Sequence, residues 1–451
     1  MNYRNKRVTV VGLGVSGFAA ACLLKDVGAR ARVTESAVTK AILERKIFLE
    51  RKGIKVEVGG HRQGFIAGSQ LFVASPGVGS SSLPLRFAQR NKIPVIGEVE
   101  LASTLSSGEI IAVSGTNGKT TVVSLLGEIF KKAGKKVVVC GNIGHPFSAA
   151  MRRCKKNSFI ILEISSFQLE RIKNFRPRVA VLLNIDPDHL DWHQNFSSYK
   201  RAKSRLFLNQ KTNDDAILNQ DDDYISSFLP KIKARKFFFS RRKMAEKGVF
   251  VKSNWIISNL SGREERIFNL ERAVLKGAHN CENYLAAAAA ALIVGISPEI
   301  IGGVFKEFSS LPHHTEFVRR LKGVSYIDDS KATNLDATQA ALQTFPAGKI
   351  ILILGGRDKG CCFHRLSDLV KKRVKQIILL GEAAKRIEKE LSRCSLPIRK
   401  VSSLKEAVRV AKASGKRGDF VLLSPACSSF DMFADYKERG NVFKKAVQNL
   451  S

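Results

Sequence analysis

Residues Ile110–Thr121 read IIAVSGTNGKTT, and TTVVSLLGEIFKKAG carries the chain on to Gly134. The uninterrupted apolar start predicts a buried strand; the second stretch has the apolar spacing of a helix and a glycine stop. A strand that turns through glycines directly into a helix aims backbone N–H groups and the helix N-terminus at one point, where a phosphate fits. Gly115, Thr116, Asn117, Gly118, Lys119, Thr120 and Thr121 form this turn, with Lys119 suited to phosphate oxygens and Thr120 to Mg²⁺. Val113 stands where a standard phosphate loop has its first glycine, five residues before Gly118. Two readings remain on the residues alone: a shorter loop variant, or a plain glycine turn carrying a lysine.

Outward from this stretch, apolar runs alternate with helical patterns. RVTVVGLG, FAAACLLKDVG, RARVTES and QLFVASPG give a βαβ rhythm that closes near IPVIGEVELAS. KVVVCGN, FIILEIS and VAVLLNI continue the strand series beyond the loop. Residues 213–275 are less regular, and KFFFS and GVFVKSNWIIS are expected there as antiparallel strands. The helix around NCENYLAAAAAALIVG ends the second segment. A third begins near LPHHTEFV, with VSYIDDS, a helix from Asn334, KIILILGG, VKQIILLG and FVLLSPA. The expected fold is α/β in three domains: Rossmann-like over 1–98, a P-loop ATPase-like domain with a mostly parallel sheet over 99–309, and Rossmann-like again over 310–451.

Composition limits the classes. The 451 residues are 44% apolar and 25% charged, ordinary for a soluble globular chain, and too many for one core. The run YLAAAAAALIV is too short to span a bilayer, and KRVTVVGLG at the start leaves no room for a cleaved signal. Eight cysteines without a paired C-x-x-C framework read as reduced, cytoplasmic thiols. Lys and Arg number 75 against 40 Asp and Glu, a net +35. That excess runs through the whole chain, so it suits small anionic substrates better than a dedicated nucleic-acid face.

Four further motifs carry polar groups at strand ends. VTVVGLGVSG places Gly12, Gly14 and Gly17 in G-x-G-x-x-G spacing, with Glu35 ending the next strand; this fits a nucleotide, NAD among them, or tight strand–helix packing with no ligand. ILEISSFQLE puts Glu163 at the end of a buried strand, and LLNIDPDHLDWH puts His189 at the end of the next. Such a pair can hold a metal bridging ATP phosphates; a capping Glu and a hydrogen-bonded His are the plainer reading. IDDSKATN gathers Asp329, Lys331, Thr333 and Asn334 after a strand, and LLSPACSSFDMF puts Ser428 and Ser429 where a helix is expected to open. Both are anion-binding loops or N-caps. Lys203, in YKRAKSRLF, reads as a solvated helix lysine.

The order GTNGKTT, EISSFQL, DHLD, AHNxxN, DDSKATN and LLSPACSSFDxF resembles the Mur ligases over nearly the whole chain, and within them the branch that adds D-glutamate. The resemblance implies ATP-dependent joining of D-glutamate to UDP-N-acetylmuramoyl-L-alanine by a cytoplasmic monomer, in peptidoglycan precursor synthesis. It gives the glycine turn to a uridine nucleotide, not NAD: Gly14, Val15, Ser16, Glu35, Ser36 and Gly77 on the UDP side, Asn142 on the sugar-peptide. Lys119 and Thr120 match phosphate and Mg²⁺ positions, and Thr120, Glu163, His189 and Lys203 surround two Mg²⁺ ions. Lys203 matches a lysine that the family carbamylates with CO₂. Asn280, Asn283 and His314 fall on the ATP side, with Asp329 and Lys331 expected to close over the nucleotide. Thr333, Lys359, Ser429 and Tyr436 match positions around D-glutamate. Lys119, His189, Lys203 and Lys331 are the implied catalytic set.

Two positions depart from that pattern. LPHHTEF has His314 where the family carries arginine, exchanging a permanent charge for a group mostly neutral at pH 7. Tyr436 stands where phenylalanine is common, adding a hydroxyl near the amino acid. Other readings are a Mur-type or folylpolyglutamate-type ligase for a different amino acid, a basic ATP-dependent nucleic-acid protein, which needs clustered charge and helicase motifs, and a dehydrogenase, which needs NAD.

Overall fold

The computed structural model describes residues 2–309 and 311–451. Among them the strands form three sheets. In the first, β1 (Arg7–Val11), β2 (Arg30–Glu35), β3 (Lys55–Val58), β4 (Leu71–Ala74) and β5 (Val95–Gly97) are all parallel, in the order β3-β2-β1-β4-β5. The order reverses between β1 and β4, and the loops leaving these two strands pack on each other, Ser75 Oγ donating to Gly12 O at 3.2 Å. Gly12 turns the chain there at φ +91°, and a Cβ on Gly17 would overlap the Gly12 carbonyl. These glycines let the helix Val15–Asp26 start hard against the strand end.

The second sheet has β6 (Glu109–Ser114), β7 (Val137–Gly141), β8 (Phe159–Glu163), β9 (Val179–Leu182), β10 (Asp215–Asn219), β11 (Arg235–Ser240), β12 (Gly248–Lys252), β13 (Trp255–Ser258) and β14 (Glu265–Asn269). Its order is β14-β13-β12-β11-β10-β9-β6-β8-β7. β6, β8 and β9 are buried along almost their whole length, which is why they read as unbroken apolar runs. The expectation for KFFFS is corrected: β11 runs parallel to both β10 and β12. The connection from β10 passes through Asp223–Ser226 and a further turn, enough chain to return and re-enter in the same direction. GVFVKSNWIIS is the antiparallel hairpin β12–β13. In the helix Ala278–Ile293, Ala286–Ala291 are fully buried; alanine combines high helix propensity with close approach to the core.

The third sheet has β15 (Glu316–Leu321), β16 (Val324–Asp328), β17 (Ile350–Gly355), β18 (Val374–Leu380), β19 (Ile398–Lys400) and β20 (Phe420–Leu423), in the order β15-β16-β20-β17-β18-β19. Only β15 is antiparallel to its neighbour. Alternate residues of β17 enter two apolar layers: Leu352 and Leu354 meet Phe363 and Ile387, while Ile351 and Ile353 meet Val408 and Phe443. The helix from Asn334 forms as expected, capped by the Asn334 side chain at 2.9 Å from Ala337 N. Ser428 and Ser429 do not open a helix. Ser428 forms a bridge with Arg357, and the next helix, Tyr436–Gln448, starts where Asp435 caps it.

The chain gathers into two compact units. One comprises Met1–Ile185, Lys200–Leu270 and Glu282–Phe305, and holds the first two sheets. In it the buried Glu100 accepts the N–H groups of Lys173, Asn174 and Phe175 at 2.8–2.9 Å, fixing the helix Glu98–Ser103 to the loop after β8. The other comprises Asp186–Tyr199, Glu271–Cys281 and Lys306–Ser451.

Candidate active site

In the first unit β6 delivers the chain into the loop 115–118, and the helix Lys119–Lys132 starts directly after it. Gly118 caps that helix at φ +80°, where a side chain would intrude on Asn283 Oδ1. The Lys119 ammonium curls back to donate to Gly115 O at 2.8 Å and Thr116 O at 2.7 Å, which holds it over the loop. Thr120 Oγ1 donates to Glu163 Oε2 at 2.8 Å, and Asn142 Nδ2 to Glu163 Oε1 at 2.8 Å. The parallel order β9-β6-β8-β7 brings these ends together, since strands of a parallel sheet finish on one edge. Glu163 is 1% exposed and Lys203, on the helix Phe196–Ser204, is 2% exposed. Lys203 is therefore a buried side chain and not the solvated lysine that the residues alone suggest.

Asn184 escapes sequence reasoning altogether. Its Oδ1 accepts Asn117 N at 2.8 Å, its carbonyl accepts Thr116 N at 3.0 Å, and its Nδ2 donates to Asn117 O. It braces the loop from β9, and only the LLNI end of that strand could have signalled it. Thr121 is buried on the helix behind the loop, and Asn283 is 6% exposed on the helix Ala278–Ile293. Asn280, one turn earlier, donates to Lys276 O at 2.9 Å.

The glycine turn of the first sheet leaves Gly14 and Val15 exposed and Ser16 partly so, as a binding surface requires. Gly77 and Ser36 are also exposed. Glu35 is occupied differently: its carboxylate accepts Leu13 N at 2.6 Å and Ala37 N at 2.9 Å, so it shapes the turn.

His189 belongs to the second unit and does not lie at a strand end. β9 stops at Leu182, and His189 caps the short helix Leu190–His193 in a left-handed conformation, φ +54°. Its neighbour Asp188 accepts Lys359 Nζ at 3.3 Å and Asn334 Nδ2 at 3.2 Å. Burial pushes the Asp188 carboxyl up, but Lys359, His189 and the Asn334 amide outweigh it and hold the group at about 2.

Also in the second unit, His313 Nδ1 lies 2.7 Å from Asp328 Oδ2, and its peptide N–H donates to Glu316. Its carbonyl accepts Lys331 N at 3.1 Å, which clamps the SKATN loop. The Lys331 ammonium stands 4.1 Å from the Tyr436 ring centroid, so the aromatic face in this position holds the cation. Desolvation, then Lys331 and His313, push the His314 imidazole down to about 3. It is uncharged at neutral pH, and Lys331 is the cation beside it. Burial drives the Asp329 carboxyl up to about 7 against donation from Ser424 Oγ at 2.8 Å and Thr315 N at 3.0 Å. Arg439, 2% exposed, joins the two loops: it donates to Ser330 Oγ, Ser330 O and Cys427 O. That bond set brings the loop carrying Thr333 together with the one carrying Ser429, which is 2% exposed. Thr333 is partly buried.

The donors are hard oxygens, a threonine hydroxyl 2.8 Å from a carboxylate at the mouth of a phosphate-type loop, and they suit Mg²⁺. No helix among the described residues is long and apolar enough to cross a membrane. Residues 6–97 match the family described as Mur ligase MurD-like, N-terminal domain. Residues 113–291 match the Mur ligase middle domain, and residues 314–427 the Mur ligase glutamate ligase domain. The chain is 42% identical over 453 residues to a UDP-N-acetylmuramoylalanine–D-glutamate ligase of Thermoanaerobacter pseudethanolicus, covering 100% of both chains. A protein of that name from Acidobacterium capsulatum is 43% identical over 449 residues, 99% of this chain and 97% of that one. Among solved structures, UDP-N-acetylmuramate-alanine ligase MurC from Thermotoga maritima superposes with a TM-score of 0.63 at 18% identity, covering 98% and 99% of the two chains, a likeness of fold. Family matches in each of the three sheets and relatives of this identity along the full length lead to one assignment: the chain belongs to the Mur ligase family.

Proposed function

We propose that this chain is an ATP-dependent ligase that adds D-glutamate to UDP-N-acetylmuramoyl-L-alanine in peptidoglycan precursor synthesis. The observation that carries the reading is the loop 115–118 with Lys119 held over it and the Thr120 hydroxyl on buried Glu163. The full-length relatives named for this reaction support the choice of substrates.

A carboxylate does not accept an amine at neutral pH, because its oxygen is a poor leaving group. Attack of the L-alanine carboxylate on the ATP γ-phosphorus breaks its bond to the β–γ bridging oxygen, giving an acyl phosphate and releasing ADP. The D-glutamate amine attacks it, a tetrahedral intermediate forms, and phosphate leaves. The loop N–H groups and the Lys119 ammonium stabilise charge on the transferring group. Thr120 and Glu163 would hold Mg²⁺, which would neutralise phosphate charge. A second Mg²⁺, His189 as a ligand and a carbamylated Lys203 complete the reading. Asn280, Asn283, His314, Asp329 and Lys331 serve ATP; Gly14, Val15, Ser16, Glu35, Ser36, Gly77 and Asn142 serve the nucleotide-sugar; Thr333, Lys359, Ser429 and Tyr436 serve D-glutamate. The domains run 1–98, 99–309 and 310–451, and the enzyme works as a cytoplasmic monomer.

The test is phosphate release with ATP, UDP-N-acetylmuramoyl-L-alanine and D-glutamate, omitting each in turn. Release that persists without either cosubstrate refutes the reading, and release restored better by another amino acid moves the specificity. Lys119→Ala should abolish turnover; near-normal activity would remove the loop from the mechanism.

A further inference from the structure

The helix Lys40–Arg51, KAILERKIFLER, connects β2 to β3 and buries only Leu49 fully. A helix on a sheet ordinarily turns its apolar stripe to the core. Here Leu43, Ile47 and Phe48 are all exposed, Ile47 by 51%. Lys40, Leu43, Ile47 and Arg51 follow one another at steps of three or four, so they share one stripe along the helix, two aliphatic side chains with a cation at each end. Phe48 flanks that stripe; its ring packs on Phe18 at 5.3 Å between centroids, and Lys52 Nζ stands 5.2 Å from it. Thr39 caps the helix, and Arg45 Nη1 donates to Leu13 O at 3.0 Å, which holds the helix to the loop after β1 from another side. Residues 38–55 carry six Lys and Arg against Glu44 and Glu50, and Glu50 pairs with Lys46. A contiguous exposed apolar patch with a charged rim marks a contact surface, and the rim here calls for an anionic partner. A second copy would bring the same cations and a further net charge of +35 against this face, so self-association is opposed. The basic excess runs through the whole chain, which suits a broad anionic surface better than one discrete acidic protein.

We infer that the helix Lys40–Arg51 is a docking face for a membrane surface rich in anionic phospholipid. Leu43 and Ile47 enter the boundary between headgroups and acyl chains, while Lys40 and Arg51 extend to the lipid phosphates. A few inserted side chains and cations make a weak, reversible and salt-sensitive contact, far short of the anchoring of a spanning helix. None of these side chains is among the site residues named above, so the contact is separate from the ligase reaction.

The test is co-sedimentation of the full chain with vesicles of phosphatidylglycerol and phosphatidylethanolamine, and with vesicles of phosphatidylcholine alone, at about 0.15 M salt. Binding to the anionic vesicles should be at least about tenfold tighter than to the neutral ones. The double variant Leu43→Gln/Ile47→Gln keeps helix propensity and should weaken that binding about fivefold or more, with thermal melting unchanged. Lys40→Gln/Arg51→Gln should weaken it about tenfold and flatten its salt dependence. Absence of binding to the anionic vesicles, or equal affinity for both kinds, overturns the inference. Unchanged binding in Leu43→Gln/Ile47→Gln also overturns it, because the net charge alone then accounts for the contact. So does a wild-type dimer in sedimentation velocity that Leu43→Gln/Ile47→Gln dissociates, which gives the face to a second copy.

Discussion

Gly118→Ala tests how closely the phosphate loop is built. Gly118 sits at φ +80°, a conformation that costs an L-residue roughly 1–2 kcal/mol. The new methyl would also collide with Asn283 Oδ1 and lie 3.2 Å from Leu183 Cδ1. Asn283 is 6% exposed, so its amide must leave its rotamer, for about 0.5–1.5 kcal/mol more. The sum, about 1.5–3.5 kcal/mol, lowers Tm by several degrees, at about 2 °C or more per kcal/mol for a large domain. Part of the displacement reaches the N–H groups that face phosphate, so kcat/KM for ATP should fall at least about tenfold. Gly134→Ala is the control: φ is +69° and nothing lies within 4 Å of the new methyl. It should cost only the same backbone term, roughly 1–2 kcal/mol, and leave KM for ATP unchanged. The measurements are thermal melting and phosphate release against ATP concentration. Equal Tm losses in the two variants, or a kcat/KM for ATP within twofold of wild type in Gly118→Ala, would refute the reasoning.

Burial lifts the Asp329 carboxyl from its ordinary 3.8 to about 7, so its contribution to stability is complete below pH 3.8 and is lost as pH rises through 7. Asp329→Asn should therefore gain stability over wild type by up to roughly 1.4 kcal/mol per pH unit between pH 4 and 7; urea unfolding with equal differences at pH 5 and 8 would refute this. Asn184→Ala removes the acceptor that Asn184 Oδ1 offers to Asn117 N and should weaken ATP affinity by about 1–2 kcal/mol with little change in KM for D-glutamate. A loss shared equally by all substrates would count against a bracing role. If Lys203 is carbamylated, enzyme depleted of CO₂ should lose activity and regain it with bicarbonate, while Lys203→Met stays inactive in both; indifference of wild type to bicarbonate would refute it.

The parts legible in the sequence share one property, that their signal is local. Gly12, Gly118 and Gly134 mark positive φ at single positions, and the apolar period changes from strand to helix between Val113 and Thr121. Lys203 was not legible from its residues, because a helix lysine carries no mark of the side of the helix that the core will cover. Nor was Ser429 placed correctly: proline and serines look like a helix start, but Asp435 supplies the cap. The direction of β11 was missed because a parallel return depends on the path of the crossover, not on the strand's own residues.

By itself, then, the sequence determined three α/β segments, the strand–loop–helix at 110–134 and the polar strand ends. Tertiary structure decided which of these groups meet. Asn184 braces Asn117 from 67 residues away, Asn142 and Thr120 share Glu163, and Arg171 reaches the loop of another sheet. Backbone periodicity and glycine conformations arise from nearest neighbours in the chain, whereas the order β9-β6-β8-β7 arises from burying both faces of a sheet at once.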